Sequence, residues 1–168
     1  MRAPIDYRPD CTRCAALCCV ALPFDEGEDF AFSKPGGVPC KRLRGHMCTI
    51  HGHLESAGFP GCARYDCLGA GQAVTQDLFA GASWRDDPEL LEPMMAAFAG
   101  MRKAMELAQL LEAAAALPLP PEQEEERQDL LETVMPADGW TPEAIAGFEL
   151  GPVPREVHDF LRGLRFLL

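Results

Sequence analysis

Eight cysteines, Cys11, Cys14, Cys18, Cys19, Cys40, Cys48, Cys62 and Cys67, all fall in the first 67 residues of a 168-residue chain. Thiolates are soft anionic donors, and four of them suit a tetrahedral zinc ion or the corners of an iron–sulfur cluster. Eight thiols therefore fit two four-ligand sites. If residues 11 to 19 form a helix capped by Asp10, Cys11, Cys14 and Cys18 share an arc of roughly 60 degrees, and Cys19 points roughly 100 degrees from Cys18. The spacing thus predicts that Cys11, Cys14 and Cys18 share one metal and that Cys19 starts a second. Cys40, Cys48, Cys62 and Cys67 complete both sites in an order the spacing leaves open.

Other residues in this segment bear on the same chemistry. Arg13, Lys34, Lys41, Arg42, Arg44 and Arg64 lie among the cysteines and can offset the formal negative charge of thiolate-bound zinc. His46, His51 and His53 are alternative donors, expected at the surface or behind the ligands because eight thiols already suffice. His158 lies far away on the terminal segment. Ser33, Ser56 and Ser83 have no recognisable basic partner in the sequence, so no nucleophilic dyad is expected.

The competing use of so many cysteines is a disulfide framework. That use belongs to small exported domains, which cannot bury enough apolar surface alone. This chain is long enough for a core, and its opening Met1-Arg2-Ala3-Pro4-Ile5-Asp6 carries no apolar leader. No stretch approaches the roughly 18 uninterrupted apolar residues of a membrane span. The expectation is a soluble, cytoplasmic protein with no membrane partner, whose clustered thiols hold metal.

Charge is as unevenly placed as sulfur. Residues 1–85 balance nine Lys/Arg against nine Asp/Glu, whereas residues 86–168 carry six against seventeen, so the net charge of −11 lies in the second half. An acidic chain repels phosphate backbones, and no basic stripe interleaved with aromatics opposes that. Nucleic acid is excluded as an expected partner.

These features divide the chain into a cysteine-rich region, 1–85, and a helical region, 86–168, expected to pack together as one domain. The fold class is mainly α, with an irregular metal-bound amino-terminal half against a set of carboxy-terminal helices. Residues 20 to 39 read as loop, with Phe30-Ala31-Phe32 either a strand or a pair of anchors, and a helical stretch is expected near Gln72 to Phe79. Asp87-Pro88-Glu89 starts a helix to about Leu117, with Leu91, Met94, Phe98, Met101, Met105 and Ala108 on one apolar face. That face is expected in the core, although a homodimer seam would have the same spacing. Pro118-Leu119-Pro120-Pro121 stops it, a helix outwardly acidic through Glu122 to Glu126 follows to about Val134, Thr141-Pro142-Glu143 opens a short one, and Pro154 begins a terminal helix running to Leu168.

The cysteine order also resembles a known family. Cys11-x-x-Cys14 before Cys18-Cys19, then Cys40-Lys-Arg-Leu43, Cys48-Thr-Ile-His51, Pro60-Gly-Cys62-Ala-Arg64 and Cys67, is similar to the cysteine-cluster, zinc- or iron-chelating YkgJ-like proteins. The stretch from Gly61 through Gly69-Ala70-Gly71-Gln72 to Trp84-Arg85 resembles the amino-terminal region of some actinobacterial pentapeptide-repeat proteins, without the repeats. The resemblance implies metal chelation, and through the flagellin lysine methylases it implies an iron–sulfur alternative in electron transfer or protein lysine methylation. The leading expectation is a zinc-binding protein with about two ions in structural or chelating sites and no catalysis. Gly69-Ala70-Gly71-Gln72 is too small a signal for a nucleotide loop and reads as a turn after Cys67.

Overall fold

The computed structural model describes residues 4–167, and its architecture is mainly α. Met1 to Ala3 and Leu168, which enter the expectations about the leader and the last helix, lie outside the described residues.

The architecture is built around one long helix, α4 (Leu91–Ala114). Its start follows from local chemistry: the Asp87 carboxylate accepts the Glu89 N–H, and Pro88 opens a 3-10 turn, Pro88–Leu90, that leads into the helix. Met94, Phe98, Met101, Met105 and Ala108 are buried as the periodicity predicts, and Leu91 is half-buried. Ala97, Gly100, Ala104, Leu107, Leu111 and Ala114 are buried too, so α4 is covered over much more than one stripe. The chain itself supplies that cover, since the short helices α1 (Leu17–Ala21) and α3 (Ala70–Ala73) and the later α5 (Pro121–Val134), α6 (Pro142–Ala146) and α7 (Val153–Gly163) all contact α4.

The later helices begin where proline and a cap dictate. α5 starts at Pro121, and α6 follows Thr141, whose hydroxyl accepts the Ala144 N–H at 3.3 Å. The acidic run at the start of α5 faces outward at Glu122, Glu125 and Glu126. Arg127 is the exception on this helix: it is buried, donates to the Leu111 carbonyl, and pairs with Glu124. Arg127, with Gln128, holds the Glu124 carboxyl down at about 2. Trp140 stacks edge-on against Phe148 at 5.5 Å and closes the end of α6.

The expected helix over residues 11 to 19 does not form as one piece. Asp10 does cap a turn, accepting the Thr12 N–H, but that turn is a 3-10 helix, Cys11–Arg13, and α1 begins only at Leu17. Ala16 between them is left-handed, at φ 58. The reason lies in tertiary competition for the backbone: the Ala15 N–H is taken by Thr75 Oγ1 at 2.9 Å, and its carbonyl by Trp84 Nε1 at 2.7 Å.

Residues 22 to 39 are held as a loop by an isolated backbone bridge between Phe24 and Lys34. Phe30 and Phe32 are anchors and not a strand: Phe24 stacks on Phe30 at 4.4 Å, and Phe32 meets Phe59 edge-on at 5.0 Å. A small antiparallel hairpin follows, β1 (Leu43–Arg44) and β2 (Met47–Cys48), with Leu43 opposite Cys48. Gly45 supplies the positive φ its turn requires. Then come a 3-10 turn, His51–His53, and the short α2 (Pro60–Arg64). The predicted helix near Gln72 to Phe79 is α3 continued by a π-helical turn, Val74–Leu78.

One apolar cluster runs from Ala15, Leu17 and Val20 through Val74 and Phe98 to Phe160 and Leu164. The four phenylalanines of the loop segment form a separate, smaller group. Among the described residues no helix is long and apolar enough to cross a membrane.

Candidate metal centre

The bent segment of residues 11 to 18 wraps Cys11, Cys14 and Cys18 around one small cavity, and Cys67 completes its thiol lining. The cavity measures about 20 Å³, room for one water-sized body or ion. Its remaining walls are Asp10, Gly71, Gln72 and Phe98. The anticipated trio is therefore together, though it is gathered by a curved chain and not by one helical face.

Each wall is fixed by a contact distant in sequence. Gln72 grips residues 8 to 10 from both ends of its amide: Oε1 accepts the Asp10 N–H at 3.0 Å, and Nε2 donates to the Arg8 carbonyl at 2.7 Å. Gln76 Nε2 donates to the Arg13 carbonyl. Gly71 lies so close to Cys14 that a Cβ there would sit 2.6 Å from its sulfur. Cys67 is set by its neighbour Asp66, whose carbonyl accepts from Arg102 of α4 at 2.8 Å and whose carboxylate accepts the Leu68 N–H. The Gly69-Ala70-Gly71-Gln72 stretch is thus a scaffold for the first cysteines.

The other four cysteines form a second neighbourhood. The Cys40 N–H donates to the Cys19 carbonyl at 3.0 Å, which ties those two segments directly. The Cys62 thiol is pushed up to about 11 by burial first and then by Cys19, Cys40 and Cys48, and Cys48 is raised by burial, Cys19 and Cys40. The two neighbourhoods meet at Cys18 and Cys19, whose sulfurs are 3.9 Å apart. The contact between the two sulfurs raises the Cys18 thiol, with burial adding to it, and lowers Cys19, against its own burial and with Lys34 lowering it further.

Burial also pushes Cys14 up to about 11, against the pull of the Leu17 N–H that points at its sulfur at 3.5 Å. Cys11 is raised by burial, then by Cys67 and Cys19. A metal ion must therefore displace protons from these groups. All eight cysteines are free thiols at intermediate exposure. Among the described residues, no group of three or more His, Cys, Asp or Glu side chains already stands at ligating positions.

Of the six cations in the segment, Lys34 is the buried one, at 4% exposure. Arg64 pairs with Asp29, and Arg44 donates to the Lys41 and Leu43 carbonyls. His51 and His53 are exposed on their 3-10 turn. His46 is half-buried, with its Nε2 2.6 Å from the hydroxyl of buried Ser83. Ser83 thus has a basic neighbour that the sequence did not reveal. Its oxygen also accepts the Arg85 N–H, and the pair pins the hairpin carrying Cys48 to the segment before α4.

A larger open groove of about 560 Å³ borders the thiol cavity across Gln72, floored by Met101, Met105 and Met135 and flanked by Arg13, Asp77 and Asp138. The nucleophilic thiols lie outside it.

No protein-family model matches the chain, and no solved structure does. Over 103 residues it is 45% identical to the "Uncharacterized protein YybG" of Bacillus subtilis (strain 168), an alignment covering 61% of this chain and 37% of that protein. The chain thus spans well under half the length of that relative.

Proposed function

We propose that the protein is a thiolate metal-binding protein taking about two zinc ions, one on Cys11, Cys14, Cys18 and Cys67 and the other on Cys19, Cys40, Cys48 and Cys62, in structural or chelating sites. The observation that carries this reading is the cavity lined by four thiols and sized for one ion. The donor set supports it, because four soft anionic sulfurs match zinc, and so does Gly71, whose missing side chain leaves room beside Cys14. Ligation would turn the sulfurs onto a common centre by rotation about their side-chain bonds, between staggered positions close in energy.

With four protein ligands each, both sites would be closed, with no position for water or substrate. The bound ions would then supply cross-links between loops that have little apolar surface of their own. Elemental analysis and native mass of protein purified without oxygen test the reading. Colourless protein with about two zinc ions per chain is the expected result. Brown protein with broad visible absorption would replace it with the iron–sulfur reading, and metal-free protein with its cysteines oxidised in pairs would overturn both.

A further inference from the structure

We propose that the open groove of about 560 Å³ beside the thiol cavity is a binding site for a free basic α-amino acid of the lysine or arginine type. The proposal goes beyond the metal reading and stands apart from it, since no cysteine lines this groove.

The groove lies where the two halves of the chain meet. Its walls come from residues 4–6, from Arg13, from α3 and the π-helical turn after it, from α4, and from the turn after α5. Its volume falls within the roughly 300–1,000 Å³ of small-molecule sites. Met101, Met105 and Met135 give it an apolar floor of flexible thioethers, which adapt to the shape laid on them. Trp140 adds apolar surface only, because its indole N–H donates to the Val134 carbonyl at 3.2 Å.

The polar side chains of the groove fall into two kinds. Some are already used: Gln72 is bonded at both ends of its amide, and the Asp6 carboxylate accepts from the Arg8 guanidinium at 2.9 and 3.1 Å. Arg13, Asp77 and Asp138 are the others. They are exposed, and among the described residues their side chains make no hydrogen bond or ion pair. Their backbone is nonetheless fixed. The Arg13 carbonyl accepts from Gln76 at 2.7 Å, Asp77 sits on the π-helical turn, and Asp138 lies in a turn closed by the Gly139 N–H to the Pro136 carbonyl at 2.9 Å. Gly139, at φ 79, supplies the left-handed residue that this turn needs.

The signs of these charges name the ligand. One cation and two anions around an apolar floor call for one anion and two cations joined by an apolar stem. A basic α-amino acid carries that set at neutral pH. Its carboxylate answers Arg13, its α-ammonium and side-chain cation answer Asp77 and Asp138, and its methylenes cover the methionines. A diamine leaves Arg13 unanswered, and a neutral amino acid leaves one aspartate unanswered. The ligand's net charge of about +1 also suits a chain of net charge −11, whose field draws cations to it.

Calorimetric titration of protein purified without oxygen with L-lysine and L-arginine tests the site, with cadaverine, which lacks the carboxylate, and norleucine, which lacks the side-chain cation, as comparators. One molecule of lysine or arginine should bind per chain at about 1 mM or tighter, with both comparators at least about tenfold weaker. Asp77→Asn and Asp138→Asn should each weaken lysine binding by about tenfold, whereas Arg13→Gln should weaken lysine but not cadaverine. Ala137→Trp, which fills the groove from an exposed wall position without changing charge, should abolish binding while circular dichroism stays that of the wild type. Absence of saturable lysine or arginine binding, or cadaverine binding as tight as lysine, overturns the proposal. So does full lysine affinity in folded Ala137→Trp or in both aspartate variants. Zinc content followed alongside keeps the two sites distinct: zinc lost in step with lysine uptake would place the ligand at the thiols and overturn the groove assignment, whereas lysine binding to protein without zinc would support the groove and count only against the metal reading.

Discussion

If the two thiol sets hold zinc as proposed, a chelator is expected to release residues 22 to 66 while α4 to α7 keep most of their helix. Apparent binding energies of structural zinc, about 10–16 kcal/mol, match or exceed the whole stability of an ordinary domain, about 5–15 kcal/mol. The loop segment has little to set against such a loss. Its buried apolar side chains are Leu43, Ile50 and Phe59, with Phe24, Phe30 and Phe32 half-buried in the group around Phe59, and its strands are two residues each. The helical half, by contrast, keeps its own caps and the cluster around α4. Trypsin reads the difference: after chelation, cleavage at Lys41, Arg42, Arg44 and Arg64 should accelerate, with Arg102 and Arg127 still protected and most circular dichroism retained. Unchanged cleavage would mean that metal does not order this segment. Complete loss of helix would show that both halves unfold as one unit.

Gly100→Ala should destabilise the protein strongly, although alanine is the better helix former. In an exposed helix that exchange gains about 1 kcal/mol. At position 100, a Cβ would run into the carbonyl oxygen of Ile145, where α6 packs on α4 against bare backbone. Main chain cannot yield as a flexible side chain does, so the cost should exceed the about 1–3 kcal/mol typical of overpacking. Gly163, the last residue of α7, has open space beside it and is the control, because Gly163→Ala should be neutral or slightly stabilising. Thermal unfolding of both variants checks the contrast. A melting temperature for Gly100→Ala at or above the wild-type value would contradict the close crossing of α4 and α6.

The helical half was legible in the sequence because its signals are local. Asp87-Pro88-Glu89, Pro121 and Thr141-Pro142 place helix starts within a residue or two, since a cap or a proline acts on the backbone beside it. The cysteine half was not legible in this way. Its chain path is decided by Thr75, Gln76 and Trp84 capturing backbone groups of Arg13 and Ala15 some 60 residues earlier, bonds without any periodic signature. The same applies to Cys67, which joins the first cavity because Arg102 holds the Asp66 carbonyl. Composition named Lys34 as one cation among six. Only its burial and three carbonyl partners single it out.

The partition of the thiols into two sets is the centre of this account, and paired cysteine variants test it most directly. Cys14→Ser combined with Cys67→Ser damages one set, whereas Cys14→Ser combined with Cys62→Ser damages both. Zinc content by native mass should therefore fall from about two ions to about one in the first double variant and to none held tightly in the second. Equal zinc loss in the two double variants, or loss of both ions from the Cys14 and Cys67 pair alone, would contradict the partition.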